Sequence, residues 1–149
     1  MSDINFDNLI FRKLTVNDYI SFLELIKDFR DTTFTEEMFI TNLNKILYSS
    51  DIYVLEHNNK LIATGTVIYE TKFIFNICTL AHIEDICVKY EYRNQGLGKY
   101  IVSKLVTTAK ENKCYKITLD CADTNIAFYE KCNFEKRGNQ MTIFVGVNK

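Results

Sequence analysis

The chain contains no proline and no tryptophan, and only five glycines among its 149 residues. Lacking proline, it has no stiff Pro-rich spacer, and it carries no low-complexity linker or internal repeat, so nothing marks a domain boundary. At 47% apolar and 25% charged residues, residues 1–149 are expected to form a single domain with its own core. An excess of one charge is also missing. The formal net charge is -1, with both signs interspersed, which excludes the basic footprint that nucleic acid or an anionic membrane requires. No apolar run approaches the roughly 18 residues of a spanning helix, and the opening MSDINFDNLI lacks a basic segment followed by an apolar one. A cytoplasmic protein is expected. Its five cysteines, Cys78, Cys87, Cys114, Cys121 and Cys132, are an odd number without CxxC spacing and are expected to be buried, reduced thiols.

The apolar pattern sets an order of elements. Residues 9–14 read as a strand. Thr15 then caps a helix with Tyr19, Leu23, Ile26 and Phe29 at helical spacing, and Thr35 caps a second one with Phe39, Leu43 and Leu47. Residues 52–56 and 61–69 are strands joined through Asn58 and Asn59, which tolerate the left-handed backbone of a hairpin. Residues 72–88 form one interrupted strand or two. Ile101, Leu105 and Ala109, widened by Val102 and Val106, mark a helix ending near Asn112. A strand over 115–121, a short helix from about Asn125 to Cys132 and a closing strand over 140–145 complete the pattern.

Two of the few glycines stand together in 92-YRNQGLGKYI-101, between a strand and a helix. A helix N-terminus presents backbone N–H groups not used by the helix ladder, and Gly96 and Gly98 let an anion approach them closely. That is a phosphate site. The spacing is neither GxxxxGK[ST], because Tyr100 follows Lys99, nor GxGxxG, which excludes the NTPase and dinucleotide loops.

The pattern Arg93-x-x-Gly96-x-Gly98 resembles the pyrophosphate loop of the GNAT N-acetyltransferase superfamily. The stretches 82-HIEDICV-88, 95-QGLGK-99, 114-CYKITLDC-121 and 127-AFYEKCNF-134 resemble its branch acting on amino-sugar phosphates. The resemblance implies an α/β (α+β) fold: a mixed, mostly antiparallel sheet with helices on both faces and a splayed strand pair at the acetyl-CoA site. It implies acetyl transfer from acetyl-CoA to the 2-amino group of D-glucosamine 6-phosphate, without a metal, in a homodimer with the C-terminal strand at the interface.

Acetyl transfer needs a polarised thioester carbonyl, a neutral amine aimed at it and a stabilised leaving thiolate. By the resemblance, backbone N–H groups freed by a bulge around Ile86, Cys87 and Val88 polarise the carbonyl. Arg93, Asn94, Gln95, Gly96, Leu97, Gly98 and Lys99 then cradle the diphosphate, with Asn125 also on the coenzyme. Tyr129 is the proton donor to the thiolate, and the Asp120 carbonyl orients the amine. Glu84 and Asp85 are adjacent acids in an apolar strand, and alternation sends them to opposite faces unless a bulge intervenes; the resemblance gives both to the sugar site. His57 reads as a surface residue and His82 as a hydrogen-bonding one. Cys87 has no activating base, so an acyl-cysteine route is not expected.

Lys72, Phe73, Ile74 and Phe75 fall on substrate-binding positions. Phe144 and Phe75 stand where the branch has an arginine and a histidine, and Asn133 replaces a glycine. The turn 28-DFRDTTF-34 differs from the usual threonine-bearing turn, and Arg30 is its candidate phosphate ligand. Two other readings stay open: an acetyltransferase for a protein N-terminus or polyamine, and a non-catalytic acyl-CoA sensor.

Overall fold

The computed structural model describes residues 4–146. It comprises two compact units, one ending at Leu119 and the other starting at Asp120. In the larger unit the chain runs β1 (Ile10–Lys13), α1 (Tyr19–Lys27), α2 (Glu36–Ile46), β2 (Ser50–His57), β3 (Lys60–Lys72), β4 (Cys78–Val88), α3 (Leu97–Glu111) and β5 (Lys116–Thr118). The strands form one sheet in the order β1-β2-β3-β4-β5. The first three pairings are antiparallel, and β4 pairs with β5 in parallel. This is the mixed, mostly antiparallel sheet expected.

Strand alternation divides the core between the sheet's two faces. Ile52, Val54 and Cys87 pack with Leu25 of α1 and with Phe39 and Leu43 of α2. Gly65 on the opposite face lies against Leu105 of α3. Helices therefore cover both faces.

The helix starts follow the capping signals. Thr15 and Asp18 form a capping box, and the Thr35 hydroxyl accepts from the Met38 N–H. Asp18 is also gripped by Arg12, whose two terminal nitrogens each donate to one carboxylate oxygen at 2.8 Å. Burial alone would raise the Asp18 pKa, but the Arg12 and Thr15 hydrogen bonds outweigh it and hold the carboxyl below its usual range. At the β2–β3 turn, Asn58 and Asn59 both adopt positive φ, 49° and 61°.

Four expectations need correcting. In α1 the buried residue is Leu25, while Phe29 is exposed, because the helix ends at Lys27 and Phe29 lies beyond it. The β5 ladder stops at Thr118 rather than 121. Residues 140–145 form no strand among the described residues; a strand exists only through a neighbour's ladder, and none pairs with this segment. Met141, Ile143, Phe144 and Val145 are more than four-fifths exposed. All five cysteines are free thiols as expected, but only Cys87 is buried and Cys121 is exposed.

In the smaller unit, a 3₁₀ turn over Asp123–Asn125 leads into α4 (Ile126–Glu130). Asn133 closes that helix with φ of 65°, the left-handed conformation its side chain tolerates. Among the described residues no helix is long and apolar enough to cross a membrane.

Candidate active site

The centre of the site is an irregularity in β4. Thr64 pairs with Cys87 and Thr66 with Glu84, so Gly65 alone faces two residues, Asp85 and Ile86. This is a β-bulge, with Asp85 in the left-handed region at φ 53°. The extra residue resets the alternation: Glu84 and Cys87 share the face covered by α1 and α2, while Ile86 turns to the other.

Gly65 makes the bulge possible. A Cβ at that position would stand 2.6 Å from both Ile86 Cδ1 and Leu105 Cδ1, well inside van der Waals contact. Glycine leaves room for Ile86 to tuck against α3. Nothing in the local sequence distinguished Gly65, because its partner across the sheet is set by the register.

On the α1/α2 side the bulge opens into a cavity of about 1190 Å³. Glu84, Asp85, Thr64 and Thr66 line its sheet wall, and Arg30, Thr32 and Thr33 its helix side. The two adjacent acids therefore meet one cavity, as the bulge alone allows. Crowding around the Asp85 carboxyl raises its pKa above the ordinary value, and the Glu84 charge adds to the rise. Glu84 accepts a hydrogen bond from His82 Nε2 at 2.7 Å, and His82 Nδ1 lies 2.9 Å from the Thr118 hydroxyl. His82 is thus a hydrogen-bonding residue as expected.

Just before the bulge the sheet forks. Parallel pairing of β4 with β5 ends at His82↔Thr118, so among the described residues Ile83–Val88 have no β5 ladder. A splayed pair of this kind leaves strand N–H groups available to a ligand carbonyl. The thiol of Cys87 donates to the Leu25 carbonyl. Its burial pushes the pKa up to about 11, so it stays protonated near neutrality and is a poor nucleophile.

The loop that follows has the anticipated form. Asn94 and Gly96 both adopt positive φ, 61° and 83°, and α3 starts at Leu97. Gly96 supplies the left-handed turn, while Gly98 sits in the first helical turn. A helix start leaves its first N–H groups outside the helix ladder, which suits an anion.

Arg93 braces this loop from behind: its Nε donates to the Val88 carbonyl and its Nη2 to the Asp28 carbonyl, each at 3.0 Å. The Asp28 carboxylate accepts from the Tyr90 N–H at 2.7 Å. Sequence reading missed Asp28, whose role appears only when the end of α1 meets the loop.

Lys72, Phe73, Ile74 and Phe75 stand apart from this cavity. Lys72 pairs with Glu70 at 3.0 Å, and Phe73, Ile74 and Phe75 are exposed at the β3–β4 tip; among the described residues none of the four lines the cavity wall. Within the smaller unit, Tyr129 packs edge-on against Phe128 and Phe134, with centroids 4.9 and 6.1 Å away, and Asp120 and Asn125 are exposed. His57 is not a surface residue: its ring is half-buried edge-on to Tyr92, and its Nδ1 has no hydrogen-bond partner.

Comparison with known proteins agrees with this geometry. Residues 19–134 match the model of the acetyltransferase (GNAT) family. Glucosamine 6-phosphate N-acetyltransferase 1 of Dictyostelium discoideum is 40% identical over 151 aligned positions, covering 97% of this chain and 96% of that protein. The glucosamine 6-phosphate N-acetyltransferase of Candida albicans is 35% identical, covering 88% and 92%. The crystal structure of the Arabidopsis thaliana glucosamine-6-phosphate N-acetyltransferase superposes with a TM-score of 0.86 at 34% identity, over 93% of this chain and 99% of that one.

Proposed function

The chain belongs to the acetyltransferase (GNAT) family, and from that premise we propose that it transfers acetyl from acetyl-CoA to the 2-amino group of D-glucosamine 6-phosphate. The products are N-acetyl-D-glucosamine 6-phosphate, a precursor of UDP-N-acetylglucosamine, and CoA. The observation that carries this reading is the bulge, which brings Glu84 and Asp85 to one cavity whose far side holds Arg30. Two carboxylates suit the hydroxyls and ammonium of an amino sugar, and a guanidinium suits a phosphate. A polyamine site would want carboxylates without the arginine.

In the proposed reaction the coenzyme diphosphate rests on N–H groups of Gln95 to Lys99, braced by Arg93 and Asn94, with Asn125 contributing a further contact. The thioester carbonyl accepts from backbone N–H groups at Ile86 to Val88. The sugar ammonium loses its proton to solvent beside Glu84 and Asp85, and the Asp120 carbonyl directs the neutral amine. Nitrogen attacks the carbonyl carbon, the C–S bond breaks, and Tyr129 gives the leaving thiolate a proton, while the acylated nitrogen releases its extra proton to solvent and the Tyr129 phenolate takes one back. No covalent enzyme intermediate is needed, consistent with the inert Cys87.

The chain is read as one acetyltransferase domain that acts as a cytoplasmic homodimer. The exposed apolar segment from Met141 to Val145 forms no ladder among the described residues and would find one on a partner. Lys72 to Phe75 would serve the site from such an assembly. Arg30 compensates for Phe144 and Phe75, which stand where related enzymes carry basic side chains.

CoA thiol release from acetyl-CoA tests the reading, with D-glucosamine 6-phosphate set beside glucosamine, spermidine and a peptide amine. Strong preference for the phosphorylated sugar supports it. Faster turnover of another amine moves the substrate assignment, and coenzyme binding without turnover of any amine favours a sensor.

A further inference from the structure

We infer that Thr118 and His82 form a positioning strut that fixes the Glu84 carboxylate for the amine; the inference rests on the acetyl-transfer reading above. The two residues occupy the last rung shared by β4 and β5, at the point where the sheet forks. His82 and Glu84 are two apart on β4, before the bulge, and so lie on one face. The hydrogen bonds run in a line: Thr118 Oγ1 to His82 Nδ1 at 2.9 Å, then His82 Nε2 to Glu84 Oε1 at 2.7 Å.

An imidazole suits the middle of this line because its two nitrogens point in different directions, one able to donate while the other accepts. With Thr118 donating to Nδ1, the proton resides on Nε2 and faces the carboxylate. Glu84 lines the cavity whereas His82 does not, so the histidine holds the acid from outside the substrate space. Oε1 is engaged, which leaves Oε2 for the ligand. Free of the strut, a side chain that is 41% exposed samples several rotamers, and only some present Oε2 to the cavity. His82 is thus a positioning residue, while Glu84 touches substrate.

The test is steady-state kinetics on the whole protein with His82→Phe, His82→Gln, Thr118→Val and Glu84→Gln, alone and combined. His82→Phe keeps ring volume and removes both bonds; it should lower kcat/KM for the amine about tenfold, because misplacing a reacting group is costly, and leave the KM for acetyl-CoA unchanged. His82→Gln, which can still donate to Glu84, should recover most of that loss. Thr118→Val should cost about threefold, as the bond it removes acts one step further away. In the Glu84→Gln background, His82→Phe should add little, since its effect passes through the acid.

An equal loss from His82→Phe in both backgrounds overturns the strut, as does no loss at all. A parallel change in acetyl-CoA KM and thermal stability, unrescued by glutamine, assigns His82 to the fold instead and equally overturns it. The substrate reading fails separately: if the unmodified protein prefers another amine, the same variants are assayed with that amine, and the same ratios decide.

Discussion

The two ends of β4 depart from strand geometry in the same way and are held in opposite ways. At the bulge, Asp85 takes a positive φ while Ile86 tucks against Leu105 beneath Gly65. At the other end, Phe75, Asn76 and Ile77 all take positive φ, between 56° and 61°, and Phe75 and Ile77 are two-thirds exposed. Left-handed backbone costs roughly 1–2 kcal/mol at a residue with a Cβ, more for a branched side chain such as Ile77. Packing from both faces of the sheet compensates for that cost at the bulge. At the tip the compensation within the chain is slight, a stack of Phe75 on Tyr115 with centroids 5.4 Å apart. Strain that is packed in place positions chemistry, whereas strain left exposed fits a surface completed by another molecule.

Filling the space at the packed end gives the largest effect. Gly65→Ala forces Ile86 and Leu105 apart; it should destabilise the protein by about 1–3 kcal/mol in urea denaturation and lower acetyl transfer about a hundredfold as Glu84 and Asp85 shift. Wild-type activity from this variant would separate the bulge from catalysis.

At the exposed end the sign reverses. Ile77→Gly removes a Cβ from a left-handed position and should stabilise the isolated chain by about 1 kcal/mol. The gain should shrink as protein concentration rises, because a partner that stabilises the native tip makes wild-type stability concentration-dependent. A gain independent of concentration argues that the tip is completed by nothing.

The smallest effect is a pH dependence. The Asp85 pKa lies above its unfolded value, so the native state binds the proton more tightly and loses stability as pH rises from the unfolded pKa through the folded one. Asp85→Asn should therefore be relatively more stable at neutral pH than below the ordinary carboxylate range. Solvent screening at this exposed residue keeps the difference small, and thermal melts across that range read it.

Much of this arrangement was legible in the sequence because the signals are local. Thr15, Thr35, the Asn58-Asn59 turn and Gly96 each set the backbone within a few residues. The acid pair and the loop could be named for the same reason. What escaped depends on register or on distant partners: Gly65 opposite the bulge, Thr118 on the last shared rung, and Asp28 under Tyr90. Residues 140–145 read as a strand because alternation predicts a pairing surface, but a ladder also needs a paired edge, and none pairs with this segment among the described residues.

The most direct test is a crystal structure of the protein with CoA and D-glucosamine 6-phosphate. The diphosphate should rest on the N–H groups from Gln95 to Lys99, and the sugar should sit in the cavity with its amine or hydroxyls bonded to Glu84 and Asp85. A sugar seated beyond hydrogen-bond reach of both carboxylates would contradict it.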